Sequence, residues 1–326
     1  ISFSKSNFEA ARTAGDVKKI DSLFFTQPLA EPGPEFKNLT IQDLCSFFSN
    51  PARYLIHHRL GITLDQYREQ LTDDEPFDLQ GLSSYQIAEE LIEQLIDGHT
   101  IEEYYNHLKL TNKLPHGSPG KYYYDRVSSG VSEFMQKLDT SILDTALPDL
   151  HVNTAIGDFC ISGTLNLVRE NSLLHFRYAR LKGTDLLTAW IRHLLLNNSN
   201  VPQYPVTSTI LTSNKYIRLK EVPQCGTYLS RLLEIYWKGL TQPLQFLPES
   251  SWVYAENVLL KQNAEEVALI NAQKRWNGDP YSSLPGESSN PYTTLCYRSI
   301  TPFGADFATL ACEIYGSIIS HAEGLD

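Results

Sequence analysis

Cysteine is sparse and unpaired in this chain. Cys45, Cys160, Cys225, Cys296 and Cys312 stand singly among 326 residues. None belongs to a C-x-x-C arrangement, which argues against a zinc or dithiol framework. An odd count of thiols in apolar surroundings reads as reduced, buried cysteine in a cytoplasmic protein. Positive charge is also short, since 27 Lys and Arg against 38 Asp and Glu leave a net −11. A domain that wraps nucleic acid through its phosphates should be basic, so this one would on average be repelled. No apolar run approaches the ~20 residues of a membrane-spanning helix, and no signal-peptide pattern follows Ile1. Opening on Ile1 and not on methionine, the sequence reads as a piece of a longer protein. There is no P-loop, no H-E-x-x-H helix and no G-x-S-x-G elbow, so three common chemistries lack their motif. Neither an internal repeat nor a low-complexity segment is present.

What is there centres on 158–196. From Phe159 to Val168 the residues alternate, with Phe159, Ile161, Gly163, Leu165 and Leu167 to one side and Cys160, Ser162, Thr164, Asn166 and Val168 to the other, the period of a half-buried strand. Arg169 to Asn171 make a polar turn. A second alternation puts Leu174, Phe176 and Tyr178 on an apolar side and His175 and Arg177 on the opposite one. Thr184 is a candidate N-cap for a helix whose stripe is Leu187, Trp190, Ile191, Leu194 and Leu195.

Strand, turn, strand and helix in this order resemble the core of the PD-(D/E)XK nucleases, with the chemistry replaced. On that pattern the family glycine falls on Gly163, the first acid on Asn166, the second acid on His175 and the lysine on Arg177. Paired carboxylates serve such enzymes because Mg²⁺ wants hard oxygen ligands and an activated water. Asn166 offers one neutral oxygen, His175 and Arg177 offer none, and a guanidinium repels the ion. Four blocks, Ser46–Leu55, Glu75–Gln86, Leu114–Gly120 and Thr188–Leu194, are similar to the C-terminal part of the RecC family, the gamma subunits of exodeoxyribonuclease V. The likeness runs from about Leu39 to Glu249.

The resemblance implies an α/β fold of the restriction-endonuclease-like type with a degenerate active site. The expected mixed sheet draws on 150–155, 159–168, 173–178 and 207–219, flanked by helices that include 184–197 and 228–240. Residues 1–38 read as a lead-in and linker from a preceding domain, through the Pro-rich stretch Gln27 to Glu35. Residues 39–326 read as the nuclease-like C-terminal domain with helical insertions and a helical tail. Thr40 with Asp43 predicts a capping box and a helix to Phe48, and Asn50-Pro51 restarts one ending near Gly61. Leu64 to Pro76 reads as an acidic connector. Helices are predicted over Ser84 to Asp97, Thr100 to Leu110, Lys121 to Leu138, Ser251 to Trp276 and Pro302 to Ser320, with a loop over Asn112 to Gly120. Related active nucleases carry a histidine on the 121–138 helix, whereas here His116 precedes it. Residues 207–211 and 216–219 predict a hairpin with Ser213-Asn214-Lys215 at its tip.

The functional expectation is a domain without catalysis, cofactor or metal. It supports assembly with the beta (RecB) and alpha (RecD) helicase–nuclease subunits and guides or splits DNA through the assembled complex, with no membrane involved. In that family the complex unwinds and degrades duplex ends for recombinational repair, and the gamma chain helps split the duplex and recognise Chi. Local basic runs, Arg53, His57, His58 and Arg59 or Arg177, Arg180 and Lys182, are candidates for touching DNA. Lys215 and Tyr216 at the hairpin tip are candidates for a wedge. His57 and His58 are neighbours on a helix, diverging by about 100°, which disfavours joint metal ligation. Two alternatives differ in class: an active metal nuclease whose acids have moved to Asp158, Glu170 or Asp185, and a purely structural interaction module.

Overall fold

The computed structural model describes residues 24–64, 82–136, 145–279, 285–298 and 300–325. Most of the lead-in and of the acidic connector lie outside them. Strand β1 (Asn38–Thr40) runs straight into helix α1 (Ile41–Ser49) through the expected capping box, in which the Thr40 hydroxyl accepts from the Asp43 N–H and the Asp43 carboxylate accepts from Thr40 N. Asn50 then accepts from the Arg53 N–H, and Pro51 opens α2 (Pro51–Arg53), which continues as a π turn over Tyr54–Arg59. Next come α3 (Leu82–Ile96), α4 (Ile101–Leu110) and α5 (Ser118–Met135). Helix α5 starts inside the stretch read as a loop because Pro119 falls in its first turn, where a missing N–H has no helical partner to lose.

The sheet departs from the expectation of one body. Strands β2 (Leu150–Ile156) and β3 (Phe159–Leu165) pair antiparallel, and β1 lies parallel on the other edge of β3. Strand β4 (Leu173–Arg177) belongs to a second sheet with β5 (Ser208–Thr212), β6 (Tyr216–Leu219) and β7 (Ala322–Glu323), in the order β4-β5-β6-β7. β4 and β5 are parallel, and the remaining pairs of that sheet are antiparallel. The predicted 159–168 strand therefore ends at Leu165, and only a bridge between Val168 and Leu173 links it to β4. The cause is Leu167, whose φ of +60° is left-handed and breaks the pleat. Leu165 packs in one core and Leu167 against another, where strict alternation would have kept them together.

Helix α6 (Gly183–Ser199) and helix α7 (Cys225–Gly239) supply much of the largest core. Trp190, Leu194, Leu229 and Tyr236 join Ile161, Ile210 and the α1 phenylalanines there. Gly163 has φ +152°, and a Cβ on it would sit 2.9 Å from Ile41 Cγ1, so α1 crosses β3 too closely for any side chain. A second core joins α3, α4 and α5 to Leu174, Phe176 and Leu211. The predicted 251–276 helix is two: α8 (Pro248–Ala255), extended by a π turn over Glu256–Leu260, and α9 (Glu265–Asn277). Gln262 at φ +53° separates them, and Asn257 Oδ1 accepts from Asn263 and Asn271 at 2.8 and 3.0 Å, pinning the bend. With α2, α10 (Pro291–Cys296) and α11 (Ala305–His321), these helices build a third core. Residues read as linker pack against this body, since Phe25 is buried in the third core and Leu29 N donates to Thr241 O at 2.7 Å.

Candidate functional site

Alternation along β4 sends its residues to two different cores. Leu174, Phe176 and, just beyond the strand, Tyr178 pack with the second core, whereas Leu173 lies in the first. His175 is paired in register with Ile210 of that first core, so His175 and Arg177 address α6. The helix meets them with two charged side chains spaced by two turns. Asp185 Oδ2 accepts from Arg177 Nη1 at 2.8 Å, and Arg192 Nη2 donates to Asn166 Oδ1 at 2.7 Å and to its carbonyl oxygen at 3.1 Å. Asn166, His175 and Arg177 thus lie along one helix, each facing or bonded to it.

The start of α6 differs from the sequence reading. Lys182, not Thr184, is the N-cap, and Asp185 reaches back to accept the Lys182 N–H at 2.8 Å. Thr184 instead donates its hydroxyl to Glu249 Oε1, whose carboxylate also receives the Gly183 and Thr184 N–H groups. Glu249 is thereby a borrowed cap from α8. A Cβ on Gly183 would come within 2.7 Å of Pro248 O, Trp252 Cβ and Tyr315 Oη, none of which swings aside cheaply. We expect Gly183→Ala to lower stability by about 1–3 kcal/mol through overpacking, read as the shift in urea midpoint.

Electrostatically the seam is cationic. Burial opposes the Arg177 charge, but its hydrogen bonds to Asp185 and Tyr85, with the Asp185 charge, more than offset it, and its pKa is raised. Burial lowers that of Arg192, partly countered by Cys45 and Asp149. His175 is pushed down to about 4 by burial, then by Arg192 and Arg177, so it is neutral at physiological pH. Tyr85 and Glu89, both on α3, complete the surround: Arg177 Nε donates to Tyr85 Oη at 3.4 Å, and Tyr178 N donates to the Glu89 carboxylate. Sequence reasoning missed Arg192, Tyr85, Glu89 and Glu249. Arg192 alone carried a signal, its position seven residues after Asp185 on the same helical face.

The alternative acids do not converge. Asp158 sits in the β2–β3 turn, paired with Lys37 at 2.9 Å. Glu170 lies in the turn beyond the opposite end of β3, where its N–H donates to Thr145 O. Asp185 is held by Arg177. Among the described residues no three His, Cys, Asp or Glu side chains gather as a metal-holding group. The hairpin tip, expected to project, is tied down: Ser213 N donates to Ala179 O, Leu181 N donates to Asn214 Oδ1, and Lys215 Nζ donates to Leu325 O at 2.9 Å. Tyr216 beside it remains 41% exposed.

Comparison with known proteins bears on this arrangement. The family described as RecC C-terminal domain matches residues 36–259, well over half of the chain. The chain belongs to the RecC C-terminal domain family. It is 26% identical over 296 residues to the RecBCD enzyme subunit RecC of Escherichia coli, covering 85% of this chain and 25% of that protein. The RecC subunits of Buchnera aphidicola from Acyrthosiphon pisum and of Haemophilus influenzae are each 23% identical, over 78% and 79% of this chain. The chain spans about a quarter of the length of these relatives. The family match starts just before β1 and ends in the π turn after α8, so it takes in the whole seam and the borrowed cap of Glu249.

Proposed function

We propose that this chain is the nuclease-like C-terminal domain of an exodeoxyribonuclease V gamma subunit, without cleavage chemistry of its own. The observation that carries this reading is the guanidinium pair, Arg177 on Asp185 and Arg192 on Asn166, along the seam where a PD-(D/E)XK enzyme would gather carboxylates. Two fixed cations and a neutral histidine supply neither the oxygen ligands nor the negative potential that Mg²⁺ requires. What the fold then contributes is shape. Residues 39–326 form a body that docks the beta (RecB) and alpha (RecD) subunits and helps guide or split DNA in the cytoplasmic repair complex. The net −11 charge favours protein contacts over phosphate contacts for most of its surface. At the hairpin tip Tyr216 is the group available to stack on a base, since Lys215 is already bound.

The test uses the complete gamma subunit with its partner subunits. Asp158→Ala with Glu170→Ala removes two exposed acids from the relocated-nuclease alternative, and we expect unchanged Mg²⁺-dependent cleavage by the complex. Removing residues 39–326 should abolish co-purification of the partners. Loss of cleavage in the double variant with assembly intact would restore the active-nuclease reading, and full assembly without the domain would remove the docking role.

A further inference from the structure

Two basic runs stand about 120 residues apart in the sequence, Arg53 with His58 and the stretch around Lys182, and the fold brings them to the same place. A cavity of about 370 Å³ lies where the start of α6 meets the α1–α2 junction, lined by Lys182 and by Arg275 from the end of α9. A second, of about 340 Å³, continues along α1 and α2 to Arg53 and His58. Ser49 and Asn50 line both, so the two form one open groove across the junction. Its remaining walls are rich in hydroxyl and amide groups, among them Ser46, Gln42 and Thr188.

The charges in this groove are not spent on one another. Among the described residues no carboxylate forms an ion pair with Arg53, Lys182 or Arg275: Arg53 lies 5.9 Å over the Tyr292 ring, and Arg275 donates to the Pro285 carbonyl. Arg177, Arg231 and Lys238, by contrast, all have carboxylate partners. Two acids do line the first cavity, Glu249 and Glu287. Both turn their oxygens to backbone N–H groups at helix starts, Glu249 to Gly183 and Thr184, Glu287 to Glu249 and Ser250, so helix N-termini offset part of their charge, and burial raises the Glu287 pKa further against ionisation. On a protein of net −11, an extended polar trough with cations at each end is the exception. Cations lining two adjoining cavities suit a chain of separated phosphates better than one compact anion.

We propose that this groove holds the phosphodiester backbone of a single DNA strand, with Lys182 and Arg275 at one end and Arg53 at the other. This rests on the reading of the chain as part of a DNA-processing subunit and assigns a strand path that the hairpin tip does not provide. The test is fluorescence anisotropy of an oligothymidylate probe on the complete gamma subunit within its complex, comparing Arg53→Gln/Lys182→Gln/Arg275→Gln with a control of equal charge change elsewhere, Lys109→Gln/Lys121→Gln/Lys261→Gln. The groove variant should bind on the order of tenfold more weakly, and its slope of log affinity against log salt should shrink by about 2, at ~0.7 per phosphate contact on a single strand. The control should bind as the wild type does. A photo-crosslinker on Ser49→Cys, with all cations in place, should capture the probe. Equal losses in both variants would reduce the effect to net charge and overturn the groove, as would unchanged binding with no crosslink. Loss of partner subunits from the groove variant, with DNA affinity kept, would reassign the trough to a protein segment. Assembly without the domain, scored on the same preparations, would instead strike at the underlying functional reading.

Discussion

Replacing Asp185 by alanine will destabilise the protein by about 3–5 kcal/mol, the usual loss when one partner of a mostly buried ion pair is removed. The Asp185 and Arg177 side chains are only 13% and 20% exposed, so water can replace the lost carboxylate at the guanidinium only in part. The same substitution releases the Lys182 N–H at the start of α6, adding the loss of a helix cap. The double variant Arg177→Met/Asp185→Ala should recover a substantial part of the loss, because no buried charge is then left alone. Urea unfolding of the two single variants and the double closes the cycle. If Asp185→Ala proved nearly neutral, the pair would be a surface-like contact and the seam would have no structural reason to keep its charges.

Acidification should cost stability between about pH 6.5 and 4, with His193 one of two sensors. Its ring is fully buried, with Nε2 against the Lys220 carbonyl at 2.8 Å and Nδ1 against the Ser208 hydroxyl at 2.7 Å. A carbonyl only accepts, so Nε2 carries the hydrogen and Nδ1 accepts from Ser208, which satisfies the neutral ring completely. Burial is the largest influence and pushes the pKa down to about 4 from an ordinary 6.5, the Lys220 hydrogen bond opposing and His321 adding to the fall. A folded-state pKa below the unfolded one means that the unfolded chain binds the proton first. The stabilising contribution is therefore complete above pH 6.5 and is lost as pH falls towards 4, amounting to about 3 kcal/mol. His175, lowered in the same direction, adds to the same window with the same sign. His193→Gln should flatten the slope of stability against pH there by up to ~1.4 kcal/mol per unit. It should also lower stability at neutral pH, because it disturbs the bridge from α6 to β5 and β6. An unaltered slope would mean that the ring already shares its proton with solvent in the folded state.

Local signals carried much of the fold into the sequence. Capping boxes at Thr40 and Thr100 were legible because both partners sit within four residues of one another. The stripe of α6 and the alternation of β4 were legible because apolar periods of 3.6 and 2 survive in any context that buries one face. That His175 and Arg177 share one side of β4 could be read the same way, from residue types at a spacing of two. The sequence could not show that Leu167 would adopt a left-handed backbone and split the sheet, since that conformation is held by two cores pulling adjacent residues apart. Nor could it show that Gln262 would break the tail helix, with Asn257 fastening the bend from both sides.

The sequence by itself determined the capped helix starts and the faces of α6 and β4, because each depends on residues close along the chain. Tertiary structure decided the rest. Arg192 is at Asn166 and Asp185 at Arg177 because α6 packs across the ends of two strands from different sheets. Glu249 caps α6 from 65 residues away, and Lys182 and Arg275 line one cavity with Ser49 and Asn50 although they are far apart in the chain. Coulomb energy and hydrogen bonding depend on distance in space, and the chain alone does not specify those distances until hydrophobic burial has chosen which faces meet.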